Sequence, residues 1–309
     1  MALPDPFTTR FEARVAGGEL HVARSGPPAA EAADVVLAAH GVTATSMTWR
    51  TVARKLSDRV CLLAPDLRGR GRSAQLPGPY GIEPHIADLL AVLDQAGAPP
   101  AVLVGHSMGA YVLARLAAEY PERVARLVLL DGGLPLPRPA DAESMLQSAR
   151  DNSVMRLSIT FPSVEQYVEG WRAHPAFAHT WNEDVEAYAR YDVVTDGNVV
   201  RCGASAQAVL ADSREMVLDD ATRTALERVR APVHLLRAER GLFDDDPLIA
   251  DAPLRAFAAS HLAVRVEAVA DVNHYTLVMG DGHGPDRVVA AVAGDSSDPY
   301  AFHGAAQGS

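Results

Sequence analysis

The chain has 309 residues, of which 48% are hydrophobic and 22% are charged, with a formal net charge of -11. This length and balance predict one large globular domain with its own core. A negative charge of this size repels nucleic-acid phosphates, so we expect no nucleic-acid partner. Neither a signal peptide nor a long apolar run is readable, which predicts a cytoplasmic protein with no membrane partner.

The cysteines and one basic stretch are the next features of the sequence. The chain has two cysteines, Cys61 and Cys202, too few for a disulfide framework and without ligand partners at metal spacing, so we predict core residues and no metal site. One short basic stretch, residues 67–73 (LRGRGRS), is interleaved with glycine. We predict that it is a surface loop.

The first predicted element is a hairpin around Gly17 and Gly18, at an antiparallel edge of a sheet. Short apolar runs closed by turn residues then predict buried strands, at 34–40, 59–65, 101–105, 126–131, 232–237 and 263–269. Segments with helical periodicity lie between the earlier strands, at 49–57, 86–97 and from 111 to before Pro121. Alternation of this kind predicts an α/β protein whose mostly parallel sheet is covered by helices on both faces.

The alternation stops after Asp131 and resumes at Pro232, which predicts an inserted helical cap over residues 133–228. The core would then comprise residues 1–132 and 229–309, with 295–309 as a loose tail. Aromatic residues are concentrated in the insert, and single aromatics are more often core residues than ligand contacts. If the insert covers the strand ends, some must face the cleft; the candidates for a substrate pocket are Trp49, Trp171, Trp181, Tyr167 and Tyr188.

The motif GHSMG, residues 105–109, places a serine between a buried strand and an amphipathic helix. In G-x-S-x-G the glycines remove Cβ atoms that would clash in a sharp strand-to-helix turn, and the serine hydroxyl is presented at the edge of the sheet. The helix that begins there offers unpaired N–H groups to an oxyanion. The flanking strand and helix make this match much more specific than the motif alone.

With these motifs the chain resembles the α/β-hydrolase family from about residue 11 to 294, in the order AAHGVTATSMTW, APDLRGRGRS, VGHSMGA, LVLLDGG, PVHLLRAERG and DVNHYTLV. The resemblance implies an eight-stranded, mostly parallel sheet, with Ser107 as nucleophile and His274 as base. It also implies that the backbone N–H groups of Val42 and Met108 form the oxyanion hole. His274 is expected to follow the last strand, at the mouth of a helix.

The acid that should orient His274 departs from the family pattern. Most relatives place an aspartate where this chain has Gly241, and glycine cannot orient an imidazole. Asp131 lies at the end of the preceding strand, where a branch of the family takes its acid, and we favour it. Glu239 and Asp244 are the alternatives, and a dyad without an acid remains open.

The resulting hypothesis is a serine hydrolase that needs no cofactor and cleaves an ester or lactone of an uncharged, fairly apolar small molecule. Carbon–carbon bond hydrolysis of a diketone-like compound by the same residues is the runner-up within enzymes. A weakly catalytic ligand receptor is the alternative from another class, because Gly241 leaves the acid in question. The sequence does not indicate an oligomeric state.

Overall fold

The structure, a computed structural model, describes residues 3–135 and 157–294. The predicted loose tail at 295–309 lies outside the described residues, as does the part of the predicted cap between 136 and 156. The confirmed architecture is an eight-stranded, mostly parallel sheet flanked by helices.

The strands of the main sheet are β1 Thr9–Val15, β2 Gly18–Ser25, β3 Asp34–Ala39, β4 Val60–Pro65, β5 Ala101–His106, β6 Val124–Leu130, β9 Val233–Arg240 and β10 Val264–Asn273. Their order in the sheet is β1-β2-β4-β3-β5-β6-β9-β10. β1 and β2 form an antiparallel hairpin at one edge and β2 pairs antiparallel with β4, while the remaining pairings are parallel.

Helices cover the sheet, and further helices lie in the insert between β6 and β9. The helices of the core are α1 Arg50–Lys55, α2 Ile82–Gln95, α3 Met108–Glu119, α8 Asp251–Ser260 and α9 Gly284–Ala293. Those in the described part of the insert are α4 Val164–Arg172, α5 Glu183–Tyr191, α6 Ala206–Leu218 and α7 Asp220–Arg223. The short 3₁₀ turns are Ala29–Glu31, Ser46–Trp49, Gly71–Ser73, Pro121–Arg123, Pro175–Phe177 and Ala225–Arg228.

Successive residues of the central strands point to opposite faces of the sheet, so each strand contributes side chains to two hydrophobic cores, one on each face. Leu37 and Leu103 are buried on one face, whereas Val36 and Val102 are buried on the other. The apolar runs are therefore continuous because both faces are covered, as the sequence predicts.

The insert is not purely helical, which corrects the prediction of a helical cap. Two antiparallel strands, β7 Val193–Asp196 and β8 Val199–Cys202, form a separate hairpin within it. The two-residue loop begins at Gly197, which has a φ of 59°. The segment VVTDGNVV carries β-branched residues around a Gly-Asn turn, so the signal was present in the sequence.

The prediction that residues 67–73 form a surface loop is wrong. Arg68 is 2% exposed and Arg70 is fully buried. Each guanidinium is paired with a buried carboxylate, Arg68 with Asp88 at 2.6 Å and Arg70 with Asp212. A charged side chain can be buried in this way when its partner is buried with it.

Candidate active site

Ser107 occupies the tight turn between β5 and α3, with φ 56° and ψ −119°. A left-handed φ is unusual for a residue with a side chain and is typical of a strained functional turn. A Cβ on Gly105 would collide with the backbone of Gly109, and one on Gly109 would collide with the backbone of Ala39. Both glycines of the motif are therefore required by space.

The loop that follows β3 lies directly against Ser107. A Cβ placed on Gly41 would lie 3.2 Å from the Ser107 Cβ. On the other side, the Ser107 N–H donates a hydrogen bond to the Leu130 carbonyl at 2.9 Å. The turn is thus held between β3 and β6, and Ser107 itself is partly exposed.

Asp131 and His274 are brought together by the fold. Asp131 follows β6 directly, His274 follows β10 directly, and the His274 Nδ1 lies 2.6 Å from the Asp131 Oδ2. Both residues are buried, with 3% and 4% of their surfaces exposed. Asp131 has a φ of 48°, and its Oδ1 accepts a hydrogen bond from the Ala238 N–H at 3.2 Å. The carboxylate therefore has one oxygen for the backbone and one for the imidazole.

The backbone of His274 is held in place as well, by a hydrogen bond from His106. His106 Nε2 lies 2.9 Å from the His274 carbonyl, to which it donates a hydrogen bond. The pKa of His106 lies well below its usual value, first because the ring is buried and then because His274 is close. The expected helix directly after His274 is not found: residues 274–278 form turns, and α9 begins at Gly284.

The alternative acids are engaged elsewhere. Glu239 accepts a hydrogen bond from the Asp271 N–H at 2.7 Å. Asp244 accepts one from the Arg240 Nε at 2.7 Å and one from the Asn273 amide at 2.9 Å. These contacts place Asp244 beside the residue before His274 and tie its carboxylate to the turn after β9.

Gly241, the position at which the resemblance led us to expect an acid, has no room for a side chain. Its N–H donates to the Asp245 carbonyl at 2.9 Å, which closes the turn tightly. A Cβ on Gly241 would collide with the backbone of Asp246. The departure from the family pattern therefore has a steric reason, because this turn cannot carry an aspartate without opening.

The direction of the Val42 N–H is set by the orientation of the Gly41–Val42 peptide. The Gly41 carbonyl, on the opposite side of that peptide, accepts hydrogen bonds from the Ala44 N–H at 3.1 Å and from the His40 Nδ1 at 2.8 Å. The His40 Nε2 accepts a hydrogen bond from the Leu67 N–H at 2.9 Å. His40 must therefore be neutral with its proton on Nδ1, and it fixes the orientation of the Gly41–Val42 peptide.

We expect His40 to make stability depend on pH. Burial lowers its pKa from 6.5 to about 4, since Asp66 only partly offsets the loss of solvation. Between these two values the unfolded chain binds a proton that the folded chain does not bind, so stability falls as the pH falls through that window. The loss should reach about 3 kcal/mol. Chemical denaturation at pH 7, 5.5 and 4 should show a shallower loss in His40→Gln than in wild type.

The exposed His283 provides the matched control, and His283→Gln should keep the wild-type slope. A His40→Gln variant with the same slope as wild type would show that His40 is not the group responsible.

The predicted pocket aromatics differ in how close they lie to His274. Trp171 packs edge-on against Tyr275, the residue after His274, with ring centroids 5.7 Å apart. Tyr167 donates to Asp192 at 2.6 Å and so belongs to the interior of the insert. Trp181 lies under the Arg172 guanidinium, 4.9 Å from it.

The two remaining pocket candidates, Trp49 and Tyr188, are almost fully buried. Tyr188 also packs edge-on against Trp171, with ring centroids 5.5 Å apart. Sequence reasoning missed Tyr275, although its position next to the base was a usable signal. Phe177 packs against Tyr275, with ring centroids 5.4 Å apart, and so adds a third ring to the cluster that Trp171 and Tyr275 form.

Within residues 3–135 and 157–294, no group of three or more His, Cys, Asp or Glu side chains could hold a metal ion. Within the same ranges, no helix combines the length and apolar character needed to cross a bilayer.

Comparison with known proteins agrees with this fold. Residues 34–275 match the family model described as alpha/beta hydrolase fold. The chain belongs to the alpha/beta hydrolase fold family.

Individual relatives match the chain over different lengths. The chain is 42% identical to the lipase LipV of Mycobacterium tuberculosis over 118 residues, which cover 38% of this chain and 43% of that lipase. It thus spans less than half the length of the first curated relatives that it matches. A 2-(acetamidomethylene)succinate hydrolase of Mesorhizobium japonicum is 28% identical over 76% of this chain and 80% of its own.

Among solved structures, the crystal structure of E-2-(acetamidomethylene)succinate hydrolase superimposes with a TM-score of 0.74 and 22% identity. This match covers 93% of the present chain and 98% of the other. At this identity the likeness concerns the fold.

Proposed function

We propose that this chain is a serine hydrolase that cleaves an ester or lactone of an uncharged, fairly apolar small molecule through an acyl-enzyme intermediate. The observation that carries the proposal is the 2.6 Å contact between Asp131 and the His274 Nδ1, beside a serine in a strained turn. A serine hydroxyl is barely ionised at neutral pH, so it needs a base, and the base needs an orienting acid.

In the proposed first step, the Ser107 oxygen attacks the substrate carbonyl and His274 Nε2 takes the hydroxyl proton. The negative charge that develops on the carbonyl oxygen is stabilised by the Val42 and Met108 N–H groups. When the tetrahedral intermediate collapses, the bond to the leaving alcohol breaks and His274 returns the proton to that oxygen. Asp131 holds the imidazole with its Nδ1 proton facing the carboxylate and stabilises the imidazolium.

In the second step water attacks the acyl group on Ser107. His274 removes a proton from the water, the bond to the serine oxygen breaks, and the serine recovers its proton as the carboxylic acid leaves. Each role is assigned to a side chain or backbone group of this chain, so the proposal needs neither metal nor organic cofactor. A cytoplasmic location and a small-molecule partner stay predictions.

The apolar character of the proposed substrate is supported by the aromatic residues next to the base. Trp171, Phe177 and Tyr275 pack together, and burial in such a site favours a substrate with hydrophobic surface over a charged one. The name of LipV, which is a lipase, agrees with ester chemistry, although that match covers only part of each chain.

The test combines covalent labelling with ester turnover. A fluorophosphonate should add one phosphonyl group to the chain, mapped to Ser107 by peptide mass. Hydrolysis of p-nitrophenyl acetate, butyrate and octanoate should then be measured before and after labelling. We expect turnover of the esters and its loss in proportion to the label.

Other outcomes would favour the alternatives. Labelling at Ser107 with the esters untouched, but with cleavage of a diketone, would favour the carbon–carbon hydrolase. An unlabelled Ser107 with no turnover would favour the ligand receptor. The contact of Asp131 with His274 argues against that receptor, because the receptor hypothesis arose from the missing acid at Gly241.

A further inference from the structure

The Arg70 side chain joins the two residues that we assign to the oxyanion hole. Its Nε donates a hydrogen bond to the Val42 carbonyl at 2.9 Å, and its Nη2 lies 3.8 Å from the Met108 Sδ. Its Nη1 donates to the Arg68 carbonyl at 2.9 Å and contacts the Asp212 carboxylate. One guanidinium thus bridges the loop after β3, the start of α3 and the insert.

The charge of Arg70 is compensated by groups buried with it. The side chains of Arg70, Asp212 and His85 are all fully buried, and the His85 Nε2 lies 2.9 Å from the Asp212 carboxylate. Burial alone would raise the pKa of Asp212, but its contacts with His85 and Arg70 bring that pKa below its usual value. A buried guanidinium held this completely has little freedom to move, since several of its donors are fixed in one planar fork.

The position of the Val42 carbonyl bears on the direction of the Val42 N–H. The peptide before Val42 is fixed by hydrogen bonds from His40 and Ala44 to the Gly41 carbonyl. The peptide after it is fixed by Arg70. With both flanking peptide planes held, the torsion angles of Val42 have one setting, and so does the direction of its N–H.

Arg70 differs in this respect from its neighbour Arg68. The Arg68 guanidinium is also buried and paired, but its contacts are with Asp88 and with the carbonyls of Pro77 and Ala16. Asp88 lies on α2, Pro77 lies in the loop before that helix, and Ala16 lies in the turn of the β1–β2 hairpin. The two arginines are each paired with a buried carboxylate, but they therefore stabilise different segments of the chain.

We propose that Arg70 is a positioning residue that sets the geometry of the oxyanion hole by holding the Val42 carbonyl through its buried guanidinium, which also contacts the Met108 side chain. This inference rests on the proposed function, because it concerns the oxyanion that forms during acyl transfer. Arg70 acts on the transition state through the Val42 N–H, since oxyanion donors contribute most when they are preorganised.

The experiment compares Arg70→Lys with Arg68→Lys in the full chain. Lysine keeps a charge beside Asp212 but has no fork that reaches both Val42 and Met108. With p-nitrophenyl butyrate, kcat of Arg70→Lys should fall roughly 10- to 100-fold while KM changes less than about twofold. Inhibition by a trifluoromethyl ketone, which forms a tetrahedral adduct with the serine, should weaken by a similar factor. Arg68→Lys should lower the melting temperature but leave kcat and the inhibition constant unchanged.

A double variant tests the same role without leaving an unpaired charge buried. Arg70→Gln combined with Asp212→Asn removes both charges, so no unpaired charge is left buried, and it should show the same loss of kcat. A folded variant of either kind that keeps wild-type kcat and inhibition, or that changes only KM, would overturn the role of Arg70. A wild-type protein that neither hydrolyses the ester nor reacts with the ketone would instead refute the proposed function, and the inference with it.

Discussion

Replacing Ser107 with alanine is expected to reduce kcat for p-nitrophenyl butyrate by about five to six orders of magnitude. The variant has no oxygen to attack the carbonyl, so the acyl-enzyme cannot form, while the oxyanion donors and His274 remain in place. The same variant should no longer take up a fluorophosphonate. Intact mass and initial rates measure both effects.

The loss should come without unfolding. Alanine has the same Cβ as serine, so the close approach of Gly41 and the left-handed backbone at this position are unchanged. The melting temperature of Ser107→Ala should therefore stay near that of wild type. Ser57→Ala, at an exposed serine, is the matched control and should keep full turnover. Ester turnover that persists in Ser107→Ala would mean that another group is the nucleophile.

The strands of the sheet could be predicted from the sequence because both faces of the sheet are buried. A continuous apolar run such as 101–105 has few alternatives when turn residues close it, and β5 ends at His106, one residue later. The start of α2 was less readable. The helix begins at Ile82, four residues before the predicted start, because Pro84 is tolerated in a first helical turn.

Contacts between distant segments could not be read in the same way. The sequence suggested an exposed loop at 67–73 because the partners of its arginines lie far along the chain. Asp88 is on α2 and Asp212 is on α6 of the insert, so nothing local to the motif indicates that the charges are paired. The hairpin at 193–202 is a different case, since its turn signal was local and was overlooked.

The acid that orients His274 could be narrowed to a few candidates from the sequence, but the sequence could not decide among them. The sequence placed candidates at the ends of β6 and β9, which are neighbours in the sheet, so either strand could bring a carboxylate near His274. Periodicity cannot distinguish them. The structure adds the tight turn at Gly241, which leaves no space for a side chain, and the left-handed backbone of Asp131, which accompanies its contact with the imidazole.

Asp131→Asn should lower kcat by about four orders of magnitude, with a small effect on KM. The side chain is nearly isosteric, so the hydrogen bond from the Ala238 N–H to Oδ1 can persist. The other oxygen would be replaced by an amide that donates toward the His274 Nδ1, which favours the tautomer with its proton on Nε2. That proton would face Ser107, and the imidazole could no longer accept the serine proton.

The matched controls are the two carboxylates that the sequence left open. Glu239→Gln and Asp244→Asn alter residues bound to the Asp271 N–H and to Arg240, so turnover should stay within a few-fold of wild type. Adding Gly241→Asp to Asp131→Asn should not restore activity, because a side chain at 241 would collide with the backbone of Asp246. If the larger loss instead followed Asp244→Asn, the acid would come from the turn after β9, and the 2.6 Å contact of Asp131 with His274 would be structural.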